Sequence, residues 1–426
     1  MSVAVVAFLV LLVLLILNIP IAFGIGMAAL AAILAAPNVP IAVSAQRMFY
    51  GLDTFTLISV PLFVLAGRLM ALGGVTRDLL DLSKVLVGFL RGGLAYINIV
   101  ASMIFAGITG TAASDTSSIG SILIPAMIDR GYEKDFTVAV TATSSTIGIM
   151  IPPSVPMVLY GVATNQSIGK LFIGGVVPGF LVGFALMFVT AILARKRNYP
   201  REERFSFQAA VNVCMRSVPA VMTVVIIIGG IVGGFFTPTE AAGIACVYTM
   251  FLGIFYYKEL RWKDIPNILK EVAVTVGMVA MMISAASVLG WIFANQNIPR
   301  KIGEAILSVT DNKFIILILI NALLLFVGTW MDLTPAVIVF APILLPIAQQ
   351  IGVDPVHFGV IMVVNLGIGL FTPPVGVCLF IACGIAKISI TDTIKAFIPF
   401  FLAMVFVLLL ITYIPPLCMT LPNLMG

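Results

Sequence analysis

Long stretches of this chain carry no charged side chain, and this limits the possible folds more than any other feature. The first charged residue is Arg47, so the chain opens with an uncharged segment, 1–46. A membrane-crossing helix needs roughly 20 mostly apolar residues. Further uncharged runs of about this length or longer cover 92–114, 136–169, 171–194, 217–239, 272–299, 333–353 and 396–426. The pattern predicts an all-α polytopic membrane protein.

The composition supports this class and excludes several others. The 426 residues are 61% hydrophobic and 10% charged, whereas soluble domains average about 45–50% apolar and about 25% charged residues. The net charge is +5, but the basic residues sit in short loops between apolar runs, so we expect a lipid bilayer rather than nucleic acid as the partner. One histidine, and five cysteines without a CxxC pair, argue against a zinc site or a His-dependent catalytic triad.

The opening apolar run is expected to remain as a membrane helix. A cleavable signal peptide has an apolar core of roughly 7–15 residues behind a basic region. Here the apolar run is longer and no basic residue precedes it.

One motif occurs twice: an isolated Asp beside small polar residues, followed by a Pro-Pro pair in the next apolar run. Asp115 precedes Pro152-Pro153, and Asp332 precedes Pro373-Pro374. The two diproline pairs lie 221 residues apart and the two Asp residues 217, so the spacing is conserved apart from one small gap. Duplicated broken segments in a membrane protein indicate a transport site between two repeats.

The duplication predicts two repeats of similar construction. Repeat one covers 1–194 and repeat two covers 217–426, joined by a linker at 195–216 that is rich in Lys and Arg. Basic short loops face the cytoplasm, which places the linker inside. Each repeat is expected to contain scaffold helices, then a re-entrant helical hairpin, then a broken helix. In chain order the hairpins and broken helices are 93–128, 136–169, 314–350 and 356–386.

Two physical arguments lead to these elements. Residues 116–128 give 13 uncharged positions before Asp129, which span about 20 Å of a roughly 30 Å hydrocarbon core, so the segment turns back. Proline removes a backbone donor and clashes with the preceding helical turn, so each Pro-Pro pair should unwind its helix. Bare backbone survives at membrane depth only where it is buried in protein or lines a cavity.

These elements supply hard oxygen ligands of the kind that suit Na⁺, the cofactor that we expect. Carboxylates, hydroxyls and freed carbonyls of each repeat form one predicted ion site. Na⁺ site 1 comprises Gly110, Thr111, Ser114, Asp115, Thr116, Ser144, Ser145, Gly148 and Pro152. Na⁺ site 2 comprises Gly328, Thr329, Asp332, Gly369, Thr372 and Pro374. Half-helices starting near Thr116 and Leu333 would present positive ends to an anionic substrate; the predicted substrate residues are Ser114, Thr116, Pro153, Ser154, Thr334 and Pro374.

Simpler structural interpretations stay open for the same residues. Asp115 and Asp332 would serve equally well as N-caps of half-helices. Membrane Ser and Thr side chains often bond only to neighbouring backbone. The carboxylate of Glu240, in a Pro-started helix, has a sufficient structural explanation at the helix N-terminus.

The ordered set of motifs resembles the large membrane subunit of tripartite ATP-independent periplasmic (TRAP) transporters over essentially the whole chain. The resemblance rests on five segments: Ser114-Asp115-Thr116, Ile151-Pro152-Pro153-Ser154, Phe236-Thr237-Pro238-Thr239-Glu240-Ala241-Ala242, Gly328-Thr329-Trp330-Met331-Asp332 and Phe371-Thr372-Pro373-Pro374-Val375-Gly376.

The resemblance implies an ion-transporter-like, inverted-repeat fold that works as an elevator in the bacterial inner membrane. It implies Na⁺-coupled import of a carboxylate, either sialic acid, towards which the overall likeness leans, or a C4-dicarboxylate. It also implies two partners: a small four-helix membrane subunit (Q type) and a periplasmic substrate-binding protein (P type). In some members the small subunit is fused to the large one; a separate partner is expected here.

Three alternatives stay open. A proton-coupled carboxylate transporter would use Asp115 and Asp332 as proton carriers. An ion channel would also use broken helices. A membrane-embedded enzyme would need a catalytic motif, and the chain has neither HExxH nor GxSxG, so we expect no enzymatic activity; Asp115 and Asp332 resemble an aspartyl dyad only on paper.

Overall fold

The computed structural model describes residues 3–17, 19–37, 39–201, 207–310 and 312–424, without the side chains of 106–109, 207, 209, 302 and 305–309. Over this part of the chain the protein is helical and contains no β-strand. Ten helices precede the central loop: α1 Val3–Ile16, α2 Ile21–Ala35, α3 Ala42–Leu52, α4 Ser59–Leu72, α5 Val75–Val87, α6 Gly93–Thr109, α7 Ala112–Asp129, α8 Lys134–Ser144, α9 Val155–Thr164 and α10 Ile168–Lys196. Ten follow it: α11 Phe207–Val232, α12 Pro238–Phe251, α13 Ile265–Asn295, α14 Ile298–Val309, α15 Lys313–Trp330, α16 Leu333–Gln350, α17 Pro355–Gly369, α18 Val377–Ala386, α19 Ile390–Tyr413 and α20 Pro416–Asn423.

Eight helical stretches of the described chain are long and apolar enough to cross a membrane. The shortest have 18 residues, which corresponds to about 27 Å of helix. The eight are Phe55–Leu72, Ile168–Lys196, Ala210–Val232, Pro238–Tyr256, Trp262–Asn295, Lys313–Trp330, Leu333–Gln350 and Ile390–Tyr413. This agrees with the polytopic all-α class that the uncharged runs predict.

Both predicted hairpins are present. In the first, α6 and α7 pack against each other and are joined by Gly110 and Thr111. In the second, α15 and α16 pack together and are joined by Met331 and Asp332. The return arm α16 stays helical through Pro342 and Pro346.

Both Pro-Pro segments interrupt a helix as predicted. After α8 the chain makes one 3₁₀ turn, Ser145–Ile149, and leaves helical geometry until α9 begins. After α17 it is non-helical until α18 begins, and both Pro-Pro bonds are cis. The first broken helix ends earlier than the predicted boundary at 169, because Asn165 adopts a left-handed conformation with φ 55° and α10 begins at Ile168.

The two repeats interlock through their broken elements. The return arm α7 packs against α18, the second half of the other repeat's broken helix, and α16 packs against α9 in the same way. Helix α10 contacts α17, and α19 contacts α8. Each repeat therefore completes the core of the other.

The two hairpins enter from opposite sides of the bundle. Helix α10 has 29 residues, about 43 Å, so its two ends lie at opposite faces. The base of the first hairpin contacts the chain just after α10 ends, where Arg91 donates to Asn198 at 2.9 Å. The start of α17, next to the second hairpin's base, lies beside the other end of α10, because Tyr160 of α9 donates to the Pro355 carbonyl at 2.8 Å. The repeats are thus inverted.

The remaining helices form a scaffold beside this core. Helix α13 packs against α2, α3 and α4, and α12 packs against α4 and α11. A buried carboxylate ties α5 to α11: Asp78 Oδ1 forms an ion pair with Arg216, with 2.9 Å between Oδ1 and Nε, and Asp78 Oδ2 accepts a hydrogen bond from the Tyr257 hydroxyl at 2.9 Å. Loss of Arg216 would leave the buried Asp78 carboxylate without its ion-pair partner, which is costly for a buried charge.

The segment predicted as a linker at 195–216 is partly helical. Helix α10 continues to Lys196 and α11 begins at Phe207, so helix occupies both ends of the predicted linker. Positions 202–206 lie outside the described residues. The described loop between the helices is fixed to the core rather than spanning freely, because Gly92 N donates to the Pro200 carbonyl at 2.8 Å. The division into repeats at 194 and 217, and the cytoplasmic side, stay predictions.

An ion cluster holds this loop against the start of α8. Arg197 donates to both carboxylate oxygens of Asp135, at 2.8 and 3.0 Å, and also pairs with Glu133. Partial burial by itself would raise the pKa of Asp135, but hydrogen bonds from Arg197 and from the Phe136 amide outweigh it and lower this pKa. The ring of Tyr199 stacks on Tyr132 at 4.4 Å between centroids.

The lowered Asp135 pKa predicts how the stability of an Arg197→Gln variant depends on pH. The ion pair stabilises the folded state fully above the unfolded Asp pKa of about 3.9, and this contribution is lost as the pH falls through the lower folded value. We expect the variant's melting temperature in detergent to be lower than wild type by a constant amount from pH 8 to 5. The difference should shrink below about pH 4.

Arg300→Gln provides the matched control. Its partner Glu304 lies one helical turn away, at 2.7 Å, and both side chains are more than half exposed, so its loss should barely change the melting temperature. An Arg197→Gln effect no larger than that of Arg300→Gln at pH 7 would contradict the role of the cluster.

Candidate functional site

The first hairpin tip lies against the first diproline break. Gly110 has φ +61°, and a Cβ built on it would lie 3.2 Å from the Pro153 carbonyl oxygen and 3.0 Å from Val155 Cγ2. A larger residue at this position would therefore push the tip away from the break. This contact brings Gly110 and the diproline together; both belong to the predicted site 1.

Asp115 and Thr116 are fully buried in the first turn of α7. The Thr116 hydroxyl donates to the Ala112 carbonyl at 2.9 Å. Ser114 is half-buried and Thr111 is exposed. The half-helix starts at Ala112, four residues before the predicted start near Thr116, so Asp115 belongs to its first turn.

The serines of the first break form hydrogen bonds within the protein. Ser154 N-caps α9 by accepting from Met157 N, and it donates to the Ile149 carbonyl across the break. Ser145 donates to the Thr141 carbonyl at 2.7 Å, and Ser144 bonds to Asn98 of α6. Gly148 and Pro152 are buried in the break itself. Each of these hydroxyl oxygens has two lone pairs and accepts at most one of these hydrogen bonds, so each can still provide a lone pair to a cation.

The second hairpin tip crosses the second broken helix at two glycines. A Cβ on Gly369 would lie 2.4 Å from the carbonyl carbon and oxygen of Gly328. Beyond this crossing, Val375 N donates to the Thr329 carbonyl at 3.2 Å. The structure thus brings Gly328, Thr329 and Gly369 together beside the diproline, as site 2 requires.

Residues around this second crossing are more exposed than those of the first site. Asp332 occupies the N-cap position of α16 and is exposed, and Pro374 is exposed in the break. Thr372 is half-buried and donates to the Ile368 carbonyl at 2.6 Å, which ties its hydroxyl to the last turn of α17. Thr334 is half-buried in the first turn of α16. The second site is therefore more accessible than the first, where Asp115 is fully covered.

The start of α18 connects the two sites. Cys378 is fully buried there, Thr116 of the first tip lies against its thiol, and the charges of both Asp115 and Asp332 act on it. Helix α18 also packs against the return arm of the first hairpin. Both acidic tips thus lie near the start of α18.

Eight helix ends meet in this region, and their polarity is ordered. Helices α7, α9, α16 and α18 begin there, while α6, α8, α15 and α17 end there. Helix N-termini favour anions and C-termini favour cations. The arrangement therefore suits a cation at the carbonyl ends together with an anion at the amide ends.

A buried polar cluster beside the first site joins the predicted Ser144 to three residues that were not predicted from the sequence. Asn98 donates to the Thr141 hydroxyl at 2.7 Å and accepts from Ser144 at 3.1 Å, and Ser102 donates to Ser144 at 3.3 Å. All four side chains are fully buried. They join the first arm of the hairpin to the first half of the broken helix.

The second repeat has a matching cluster, also missed. Asn365 of α17 donates to the side chain of Asn321 at 2.7 Å and to its main chain at 3.0 Å, and Asn321 donates to Thr412 of α19 at 3.3 Å. The Asn365 side-chain oxygen is buried and accepts no hydrogen bond from the described residues. The sequence signal that could have indicated this cluster was an asparagine within an apolar membrane run, because a polar side chain is costly inside the membrane.

A family model described as "Tripartite ATP-independent periplasmic transporter, DctM component" matches residues 8–417. The chain is 44% identical over 406 residues to the isethionate TRAP transporter permease protein DctMQ of Oleidesulfovibrio alaskensis, covering 95% of this chain and 64% of that protein. It is 37% identical over 437 residues to the C4-dicarboxylate TRAP transporter large permease protein DctM of Rhodobacter capsulatus, covering 99% of both chains. It is 38% identical over 405 residues to the sialic acid TRAP transporter large permease protein SiaM of Vibrio cholerae, covering 95% of both chains.

Among solved structures, the fold is similar to the crystal structure of the Alcanivorax borkumensis YdaH transporter, which is described as having an unusual topology. The TM-score is 0.64 at 12% sequence identity, and the match covers 89% of each chain. At this identity the likeness supports the transporter fold alone.

The glycine crossing predicts a sharp difference between two Gly→Ala variants. Gly369→Ala places a methyl group against the Gly328 backbone at 2.4 Å, and overpacking of this kind costs about 1–3 kcal/mol. We expect a lower melting temperature in detergent. Gly384→Ala, at a helical position of α18 with open space around the new methyl group, should be neutral or stabilising; equal melting temperatures for the two variants would contradict the crossing.

The asparagine cluster predicts a second difference. Asn365→Leu removes the donor to Asn321 and leaves a buried acceptor unpaired, which costs about 1–3 kcal/mol. Thr223→Val is the matched control, because the fully buried Thr223 hydroxyl has no hydrogen-bond partner among the described residues, and its removal should not destabilise. Thermal unfolding of both variants in detergent tests this; a Thr223→Val loss as large as that of Asn365→Leu would refute it.

Proposed function

The chain belongs to the DctM component family of TRAP transporters, and from this premise we propose that it couples Na⁺ entry to the import of a small organic acid anion. It is the large membrane subunit of such a transporter. The family consists of transport proteins, so the enzymatic alternative for Asp115 and Asp332 does not apply.

The observation that carries the proposal is the meeting of eight helix ends around two acidic tips. Cations and an anion stabilise each other when they bind side by side, since each offsets the other's charge. A site with carbonyl ends and carboxylates next to four helix N-termini has the polarity that joint binding of Na⁺ and an organic anion requires.

We propose that Na⁺ binds at the two predicted sites. At the first, the carboxylate of Asp115 and the hydroxyl or carbonyl groups around Thr111, Ser144 and Ser145 would be the ligands. At the second, the main-chain carbonyls near the glycine crossing and the groups of Thr372 and Asp332 would take part. The exposed Asp332 belongs to the more accessible site, through which ions and substrate would exchange.

The proposal concerns the class of substrate, an anionic organic acid, and does not name one particular acid. The relatives' names specify isethionate, a C4-dicarboxylate and sialic acid. These molecules share an acidic group and differ in size, and one is a sulfonate rather than a carboxylate. The four helix N-termini would recognise the shared anionic group, and Thr334, Ser154 and Pro374 at their starts would contact the remainder.

The family works together with a periplasmic binding protein and a small permease subunit. We propose that this chain sits in the bacterial inner membrane with a small four-helix subunit and receives its substrate from the binding protein. The interlocked hairpins and broken helices would move as one body against the scaffold of α1–α4 and α11–α13. Binding would favour one of two positions of this body, as in other two-state transporters.

Uptake into proteoliposomes tests the function. The chain is reconstituted with its small subunit, and radiolabelled isethionate, succinate or N-acetylneuraminate is supplied with the binding protein. We expect uptake of at least one acid, only with an inward Na⁺ gradient. Uptake that ignores Na⁺ and follows a proton gradient would replace the proposal with proton coupling, and conductance without saturable uptake would favour a channel.

Substitutions at the second site test the ion ligands. Thr372→Ala and Asp332→Ala should each raise the Na⁺ concentration for half-maximal uptake, by about tenfold if one ligand interaction of 1.4 kcal/mol is lost. Thr420→Ala is the matched control, because the Thr420 hydroxyl makes the same bond to the carbonyl four residues earlier, that of Pro416, at an exposed position of α20. An unchanged Na⁺ dependence in both site variants would remove them from the site.

A further inference from the structure

A cavity of about 390 Å³ lies at the base of the first hairpin. Its walls come from Lys84 and Gly88 at the end of α5, from Leu94 and Ile97 at the start of α6, and from the last turns of α7. The volume falls within the range of about 300–1,000 Å³ that is typical of small-ligand sites. The two predicted Na⁺ sites lie at the tips, so this cavity is separate from them.

The lining of the cavity changes from charged to apolar along α7. Asp129 and Arg130 line it where α7 ends, and both are exposed. Ile122 lines it as well, seven residues before Asp129, which is about 10 Å along the helix. Asp129 is the first charge after the uncharged run 116–128, so the charged part lies where the bilayer meets water. A cavity of this kind suits an amphipathic ligand.

Helix α5, which forms the third wall, has the composition of a surface helix. It has 13 residues and is not among the stretches of the described chain that are long and apolar enough to cross a membrane. Leu79 and Leu80 are buried, while Arg77 and Lys84 are exposed. A short helix with an apolar face and charged residues opposite is typical of the headgroup region of a bilayer.

The charges at and beside the cavity cancel. Lys84 and Arg130 are cations, and Lys84 Nζ pairs with Asp81 Oδ1 at 2.8 Å. The carboxylate of Asp129 forms no ion pair with another described residue. Ammonium and guanidinium groups have more N–H donors than one partner uses, so Lys84 and Arg130 can also donate to a ligand. A ligand with both a phosphate and an ammonium group matches this set better than a purely anionic one.

We propose that this cavity binds the headgroup of a phospholipid that carries a primary amine, a phosphatidylethanolamine. Its phosphate accepts hydrogen bonds from Lys84 and Arg130, and its ammonium group donates to the Asp129 carboxylate. Charge-assisted hydrogen bonds of this kind are stronger than neutral ones. The acyl chains leave the cavity past Ile122, whose side chain is 45% exposed.

The role of the lipid rests on the proposed function. Helix α5 packs against α11 of the proposed scaffold and against α6 of the hairpin, so it connects the two bodies. A lipid bound between α5 and the hairpin base would hold α5 on the moving body. The hairpin base also contacts the basic central loop through Arg91 and Asn198. If this loop is cytoplasmic, the lipid belongs to the inner leaflet.

Protection of a single cysteine tests the site without requiring transport. Cys214 is exposed and the other four cysteines are buried, so Cys214→Ser leaves no exposed native thiol. Ala126→Cys in this background places a thiol in the cavity wall. The complex with the small subunit is delipidated in detergent, without Na⁺ or substrate, and dioctanoyl phosphatidylethanolamine is added. We expect the lipid to slow the reaction of the introduced thiol with a maleimide.

A second lipid and two further variants decide whether the headgroup is recognised. Dioctanoyl phosphatidylcholine differs only in its methylated amine, which has no N–H donor. We expect its half-protecting concentration to be about tenfold higher, the effect of losing one charge-assisted hydrogen bond. Asp129→Asn should remove this difference, and Lys84→Gln should weaken protection by both lipids. The exposed Cys214 of the unsubstituted chain lies outside the cavity and should react equally fast with either lipid.

Three results would overturn the proposal. The first is equal protection by the two lipids, and the second is a preference for the primary amine that persists in Asp129→Asn. The third is stronger protection by dioctanoyl phosphatidylglycerol, which has no amine.

Soluble compounds identify the source of the phosphate. O-Phosphoethanolamine and inorganic phosphate carry the polar groups without acyl chains, and protection by either at the concentration of the lipid would overturn a lipid as the occupant. Amine-selective protection together with uptake that ignores Na⁺ would support this site and overturn the proposed function alone.

Discussion

This structure depends on finding hydrogen-bond partners for the backbone groups at helix ends, which have no partner within their own helix. Helix ends inside an apolar bundle leave unpaired N–H and C=O groups, and each must meet protein, an ion or a solute. The chain meets this need by gathering eight such ends around its two hairpin tips and two diproline breaks. Part of the need is met internally, as where Val375 N pairs with the Thr329 carbonyl across the second tip. The backbone groups that remain are those that we propose bind Na⁺ and the substrate anion.

Local sequence signals were enough to predict the broken elements. Each Pro-Pro pair removes donors from its own helix whatever surrounds it, and a charge such as Asp129 ends a membrane arm at a definite length. The hairpins and breaks were therefore predictable to within a few residues, apart from the end of the first broken helix, where the left-handed turn at Asn165 separates α9 from α10. The candidate ion ligands stay predictions, since their role depends on which ion or solute binds to the protein.

The features that sequence reasoning missed depend on contacts between distant segments. Asn98 and Asn365 find their hydrogen-bond partners only when α6 lies against α8 and α15 lies against α17. Likewise the basic segment after α10 looks like a linker in sequence, but Arg197 and Tyr199 pack it onto the start of α8. The charge or polarity of these four residues did not by itself indicate whether their side chains would face water or a neighbouring helix.

The exchange of contacts between the repeats also bears on how such a chain arose. Helix α7 is covered by α18 and α16 by α9, so each half borrows a surface from the other. A chain with only one repeat would expose these surfaces unless a second copy inserted upside down beside it. An ancestor of half this length would thus have needed to enter the bilayer in both orientations, and gene fusion would then have fixed one copy in each direction.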